Sequence, residues 1–248
     1  MKYLITLSIL CGFLNLHAQD SSKVRTVQSI VTLKGNMIPK TDTTLVFYDE
    51  KGKALHYYQY DKLFRSGLYS LKYSTEKATY GKQIVTRLSD EEVSKFSSII
   101  REHTELKNPF IYKGKKLDIA PLTAFYEPEQ LANKIIIQVY WYASCGTCTE
   151  HFTALSAFIK ELGDPKDVII LAITTDNNDV AVKKLKELPL RNAQLISSGK
   201  ALSDAYQITA FPAYIVTDRN HVITHAAVGS SRLTLPDLKE AIKAVVAK

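Results

Sequence analysis

Cysteine occurs three times in this 248-residue chain, and two of the three stand together as Cys145-Gly146-Thr147-Cys148. Secreted proteins that need stapling spread their cysteines to close long loops. This pair spans only Gly146 and Thr147, so it reads as reactive rather than structural. In thiol–disulfide exchange the attacking species is a thiolate, and a free cysteine has a pKa of about 8.5, so a nucleophile at neutral pH needs its anion stabilised. Unpaired backbone N–H groups and the positive dipole end of a helix N-terminus do that. Cys145 in the first turn would then attack a substrate disulfide, and Cys148, one turn further in and more buried, would displace the product from the mixed disulfide.

That chemistry requires a strand to hand over to a helix at Cys145. The run Ile135 to Tyr140 has the composition of a buried strand, and Phe152, Leu155, Ile159 and Leu162 then recur at helical spacing. Gly163-Asp164-Pro165 stops that helix. Strands are predicted over Val168 to Ile173, Ala193 to Ile196, Ala213 to Val216 and Val222 to Val228, and helices over Val180 to Leu188, Lys200 to Tyr206 and from Leu235 through Val246. The alternation predicts a mainly parallel central sheet with helices on both faces and an antiparallel closing hairpin.

The preceding segment has a different character. Thr26 to Leu33, Thr44 to Tyr48, Leu55 to Tyr60, Leu68 to Tyr73 and Gln83 to Arg87 are rich in β-branched and aromatic residues and read as strands. Asp49-Glu50-Lys51-Gly52 reads as a hairpin turn. Ser89 followed by Glu92 is a capping-box pattern ahead of Val93, Phe96, Ile99 and Ile100, so a helix closes this segment. Its tyrosines, Tyr57, Tyr58 and Tyr60 among them, suit cross-strand pairing or a docking stripe. The expected layout is a leader over 1–19, a β-rich α+β domain over 20–107 and an α/β domain over 108–248.

The leader is read from Met1-Lys2, the apolar run Leu4 to Leu16 and the small residue Ala18, the pattern of a secretory signal peptide. The run falls short of the roughly 20 apolar residues that span a bilayer. Cys11 leaves with the leader, and Leu10 stands where a lipoprotein signal needs a small residue. The expected location is the periplasm or cell envelope. The net charge of +7 falls to about +6 without Lys2, and the acidic residues are interleaved along the chain, which leaves no nucleic-acid footprint. Lys113-Gly114-Lys115-Lys116 reads as a solvated turn.

Residues 108–248 resemble the TlpA-like family of exported thiol–disulfide oxidoreductases, which have a thioredoxin fold. The resemblance rests on Tyr140-Trp141-Tyr142-Ala143-Ser144-Cys145-Gly146-Thr147-Cys148 at a strand end, on Phe211-Pro212 before a strand, and on the order of elements between them. It implies a cis Pro212 beside the disulfide, with Phe211 offering its backbone to a substrate chain. It also implies protein thiols and disulfides as partners, a membrane or soluble dithiol as electron donor, no cofactor, and reduction rather than oxidation of envelope disulfides. Gly146 and Thr147 would tune the couple, and Trp141 would wall the site.

Three positions depart from the family. His151 stands three residues after Cys148 where a Glu is common, Thr153 replaces a helix-kinking proline, and Val139 replaces the buried Asp of thioredoxin. His151 shares a helical face with Cys148. It can take over the proton work, lower a thiol pKa as a cation, or stand idle and exposed. A rival reading makes Cys145, Cys148 and His151 ligands of a soft metal, although a closed zinc site takes four ligands and no second cluster exists. A third is a partner-binding module without turnover. His221 and His225 are expected to share one face of the closing hairpin strand in a structural or solvated role.

Overall fold

Two sheets make up the structure, a computed structural model that describes residues 45–247. The expected leader over 1–19, with Cys11, and the strand over Thr26 to Leu33 lie outside the described residues. Thr44–Lys248 form one compact unit.

The smaller sheet contains β1 (Phe47–Tyr48), β2 (Ala54–Leu55), β3 (Tyr69–Tyr73) and β4 (Gln83–Arg87), in the order β2-β1-β4-β3. The turn at Asp49 to Gly52 joins β1 to β2 as expected. Its Asp49 carboxylate accepts the Lys51 and Lys53 N–H groups at 2.9 Å, and Gly52 supplies a φ of 77°. The strand expected over Leu55 to Tyr60 is not formed beyond Leu55. Tyr57–Ser66 is a helix instead, α1. The β-propensity of three tyrosines suggested a strand, but Tyr57, Tyr60 and Phe64 also fall at helical spacing, and that face packs on Phe47. Tertiary burial outweighs a propensity scale that spans about 1 kcal/mol.

Gly67 ends α1 at φ 67°, a left-handed conformation that favours glycine, and the Arg232 side chain lies over it. The capping box forms at α2 (Asp90–Thr104): Glu92 N donates to Ser89 Oγ at 3.2 Å and Ser89 N donates to Glu92 Oε2 at 2.8 Å. Phe96 and Ile99 of α2 remain exposed, so its apolar face is only partly covered.

A 3-10 turn at Ala120–Ala124 and the short α3 (Pro128–Leu131) lead into β5 (Ile135–Trp141). There follow α4 (Gly146–Glu161), β6 (Val168–Thr174), α5 (Asn178–Glu187), β7 (Ala193–Ile196), α6 (Lys200–Ala205), β8 (Ala213–Thr217), β9 (Ile223–Val228) and α7 (Thr234–Val246). The sheet order is β7-β6-β5-β8-β9, with β7, β6 and β5 parallel and β8 and β9 antiparallel to their neighbours. All seven residues of β5 are buried. Ile135, Ile137, Val139 and Trp141 face α4 and α7, while Ile136 and Tyr140 face the core under Leu122, Leu131 and Tyr206. This is the mixed α/β sheet of a thioredoxin-like fold.

The outer edge of β9 is covered. Leu106 N donates to Ala226 O at 3.1 Å, and the segment read as a solvated turn pairs there through Gly114 N to Ile223 O and Ile223 N to Lys115 O. His221 does not share a β9 face with His225, which corrects that expectation. It precedes the strand in a turn with φ 62°, and its Nε2 donates to Leu131 O at 2.9 Å. Between the sheets, Arg101 makes a two-pronged bond to Asp237 at 2.8 and 2.9 Å, and Arg232 reaches Ser97 Oγ at 3.4 Å. Among the described residues no helix is long and apolar enough to cross a membrane.

Candidate active site

Cys145 is the N-cap of α4 and is bonded to Cys148 in a disulfide. The Cys148 N–H donates to Cys145 Sγ at 3.1 Å, and Thr147 Oγ1 lies 3.5 Å from the same sulfur. A backbone donor at a helix start favours negative charge on that sulfur. Cys148 is fully buried and Cys145 slightly less so, in the order the two roles require. Gly146 has no heavy atom within 4 Å of where a Cβ would stand, and Thr147 is exposed, so the two intervening residues face outward.

Why Cys145 sits there is set by two strand ends. In register, Trp141 pairs with Thr174, so the chains leaving β5 and β6 run side by side. Asp176 uses that proximity: its Oδ2 accepts Ala143 N at 2.6 Å and Thr174 Oγ1 at 3.0 Å. The Tyr142 carbonyl then accepts Cys145 N at 3.0 Å, closing the turn into α4. Asp176 was not apparent from the sequence. Its one signal is a position just past a parallel strand next to β5, where such sheets build sites.

The Phe211-Pro212 peptide is cis, as the resemblance implies. Pro212 lies at the same sheet end as Cys145, because Ala213 pairs with Tyr140. The Phe211 ring meets Tyr142 edge-on at 5.8 Å, joining the two loops, and Tyr142 is more than a third exposed. Gly229 N donates to Pro212 O at 2.8 Å and supports the proline from behind. Trp141 is fully buried, 5.3 Å from the Phe152 ring in the core that also holds both cysteines.

His151 is not exposed, which corrects that expectation, and its burial disfavours the cationic form. It is buried; its Nδ1 lies 2.7 Å from Tyr214 Oη and its Nε2 3.4 Å from Ser230 Oγ. Burial pushes its pKa down, against a smaller upward pull from Glu150, so the ring is neutral at pH 7. Tyr214 stands opposite Val139 across the β5–β8 ladder, and burial holds its phenol protonated. Strand alternation places Tyr214 on the α4 side, and a buried tyrosine hydroxyl seeks a partner. With its two sulfurs bonded to each other and both ring nitrogens beside hydroxyls, the trio offers no open ligand set. Among the described residues no group of three His, Cys, Asp or Glu side chains could hold a metal ion.

Residues 124–242 match the Redoxin family model. The thiol-disulfide oxidoreductase YkuV of Bacillus subtilis is 25% identical over 113 residues, covering 44% of this chain and 75% of that protein. Similar solved structures include the thioredoxin domain of a thiol-disulfide oxidoreductase from Bacteroides vulgatus, 21% identical over 48% of this chain and 84% of that one, at a TM-score of 0.41. A secreted Mycobacterium tuberculosis disulfide oxidoreductase is 15% identical, covers 48% of this chain and 87% of that one, and has a TM-score of 0.41. The part of the chain built on β5 to α7 is a thioredoxin-fold thiol–disulfide oxidoreductase.

Proposed function

We propose that Cys145 and Cys148 are the redox centre of an exported oxidoreductase that exchanges disulfides with envelope proteins, working as a reductase. The observation that carries this reading is the Cys145–Cys148 bond at the start of α4, with the Cys148 N–H on the less buried sulfur and cis Pro212 at the same sheet end. Cys145 attacks the substrate disulfide, and Cys148 resolves the mixed disulfide. The backbone beside Pro212 and the exposed Tyr142 edge offer an extended substrate a strand-like seat.

Charge supports the reducing direction. A cationic histidine beside the thiols would favour their reduced form and make the couple oxidising. The neutral, buried His151 withholds that stabilisation, which favours reduction of substrates. The positive start and apolar run at Met1 to Ala18 support export to the periplasm or cell envelope.

Insulin-reduction turnover with a dithiol donor tests the function, and equilibration against glutathione or dithiothreitol tests the direction. The wild type is expected to turn over and Cys145→Ser to be inactive. A reduction potential below about −200 mV supports a reductase, whereas one near −120 mV, typical of a dedicated oxidant, overturns that direction. Inertness of both thiols to alkylation after reduction would overturn the whole reading.

A further inference from the structure

The basic run Lys113-Gly114-Lys115-Lys116 takes no part in the chemistry of the sulfurs, and the structure makes it part of a larger feature. From Lys107 to Lys116 the chain carries four lysines and no acidic residue. Among the described residues none of the four is ion-paired with a carboxylate. Within the same stretch Phe110 and Tyr112 are 43% and 42% exposed. Lys115 stands over both rings, its Nζ 5.7 Å from the Phe110 centroid and 5.4 Å from that of Tyr112, and it donates to the Pro109 carbonyl. Cations and half-exposed aromatic rings thus form one surface patch.

The patch is anchored from below. The Asn108 carboxamide accepts the Phe110 and Ile111 N–H groups at 2.9 and 2.8 Å and donates to Tyr206 O at 3.0 Å. Ile111 and Leu117 are buried in the core, and Gly114 and Lys115 pair with Ile223 of β9. The rings and ammonium groups are therefore presented in one arrangement, which lowers the ordering cost of binding. A specific protein partner needs about 20–30 residues on each side, and this stretch has ten. An anionic lipid surface sets no such requirement. It attracts lysines by charge and seats aromatic rings at the level of its headgroups.

We infer that the stretch from Lys107 to Lys116 is a docking loop for an anionic lipid surface. Phe110 and Tyr112 enter the headgroup layer, and Lys107, Lys113, Lys115 and Lys116 lie against its phosphates. The position of the loop leaves the site free. β9 runs from Ile223, beside Lys115, to Val228, which pairs with Ala213 next to Pro212. A rise of about 3.3 Å per residue puts those two ends roughly 17 Å apart. Lipid held at Lys115 and Lys116 therefore leaves Cys145 and Pro212 open to a substrate. Docking confines exchange to the neighbourhood of the bilayer without covering the sulfurs.

Co-sedimentation of the full chain with vesicles of phosphatidylcholine, alone or mixed with phosphatidylglycerol, tests the inference. The wild type is expected to bind the mixed vesicles, and to bind them less as salt screens the charges. A chain carrying Lys113→Gln, Lys115→Gln and Lys116→Gln is expected to bind them about 10²-fold more weakly, each lysine near such a surface contributing about fivefold. Phe110→Ser with Tyr112→Ser is expected to weaken binding on the order of tenfold and to leave its salt dependence unchanged. Any binding through Leu4 to Leu16 is common to all three proteins and cancels in the comparison. Insulin-reduction turnover is expected to be equal in all three. Should the triple variant lose turnover through misfolding, Lys113→Gln and Lys116→Gln, singly and at exposed positions, carry the test at about fivefold each. Equal binding by wild type and lysine variants overturns the inference, as does wild-type binding indifferent to phosphatidylglycerol. Retention on heparin without binding to vesicles overturns it in favour of a soluble polyanion. Absence of insulin turnover in the wild type bears on the redox reading alone.

Discussion

The two sheets of this molecule bury their strands to different depths. In the five-stranded sheet all of β5 is inaccessible, with cores on both faces, whereas in the four-stranded sheet the edge strand β3 leaves Leu71 and Tyr73 exposed over a small cluster around Phe47, Tyr60 and Val85. The chemistry sits on the first kind of sheet. Exchange between two sulfurs needs a strand end that does not move, and a strand buried on both faces opens only with the whole fold. The smaller sheet has the features of a region that opens locally at lower cost.

Substitution of single side chains breaks or sharpens that contrast. Ile137→Ala, in the middle of β5, is expected to cost about 2–5 kcal/mol in chemical denaturation, as truncations of buried aliphatics do. A cost no larger than that of an exposed residue on β3 would erase the distinction between the sheets.

Acid should act next, and on the larger sheet. Burial holds His151 and His225 below the ordinary histidine value of 6.5, so the unfolded chain binds more protons than the native one as pH falls. Their contribution to stability is present above pH 6.5 and is lost as pH drops through their folded values. The melting temperature is expected to decline from pH 7 to pH 5, and less steeply in the His151→Gln, His225→Gln double variant. Equal slopes in both proteins would remove these histidines from the account.

The seam between the sheets comes third. Arg101→Ala removes a two-pronged but half-exposed pair with Asp237 and is expected to cost no more than about 1 kcal/mol, diminishing in high salt. The smallest effect is expected at Leu71→Ala, within about 0.5 kcal/mol by the same denaturation assay. A loss there matching Ile137→Ala would show the smaller sheet to be as integral as the larger.

What was legible in the sequence divides along the same line. The run Ile135 to Tyr140 and the periodic Phe152, Leu155 and Ile159 state a buried strand and an amphipathic helix in local terms, so Cys145 could be placed between them. Cis Pro212 was legible only through family likeness, since an X–Pro bond is usually trans. Asp176 and Tyr214 were not legible, because each matters through a neighbour brought by strand register, across 33 and 63 positions respectively. The helix at Tyr57–Ser66 was missed for another reason. Its tyrosines satisfy both the period of a strand surface and the period of a helix face, and only the packing on Phe47 decides between them.

The loop from Gly229 to Leu233 has a practical consequence for anyone cutting the protein down. Gly229 holds the carbonyl of Pro212, Ser230 meets His151, and Arg232 lies over Gly67 and reaches Ser97. A fragment starting after Lys107 would retain both sulfurs and all five strands around them, yet it would strip away the surface on which Arg232 is anchored. Such a minimal version is expected to fold and to work poorly, because the far end of that brace would hang in water.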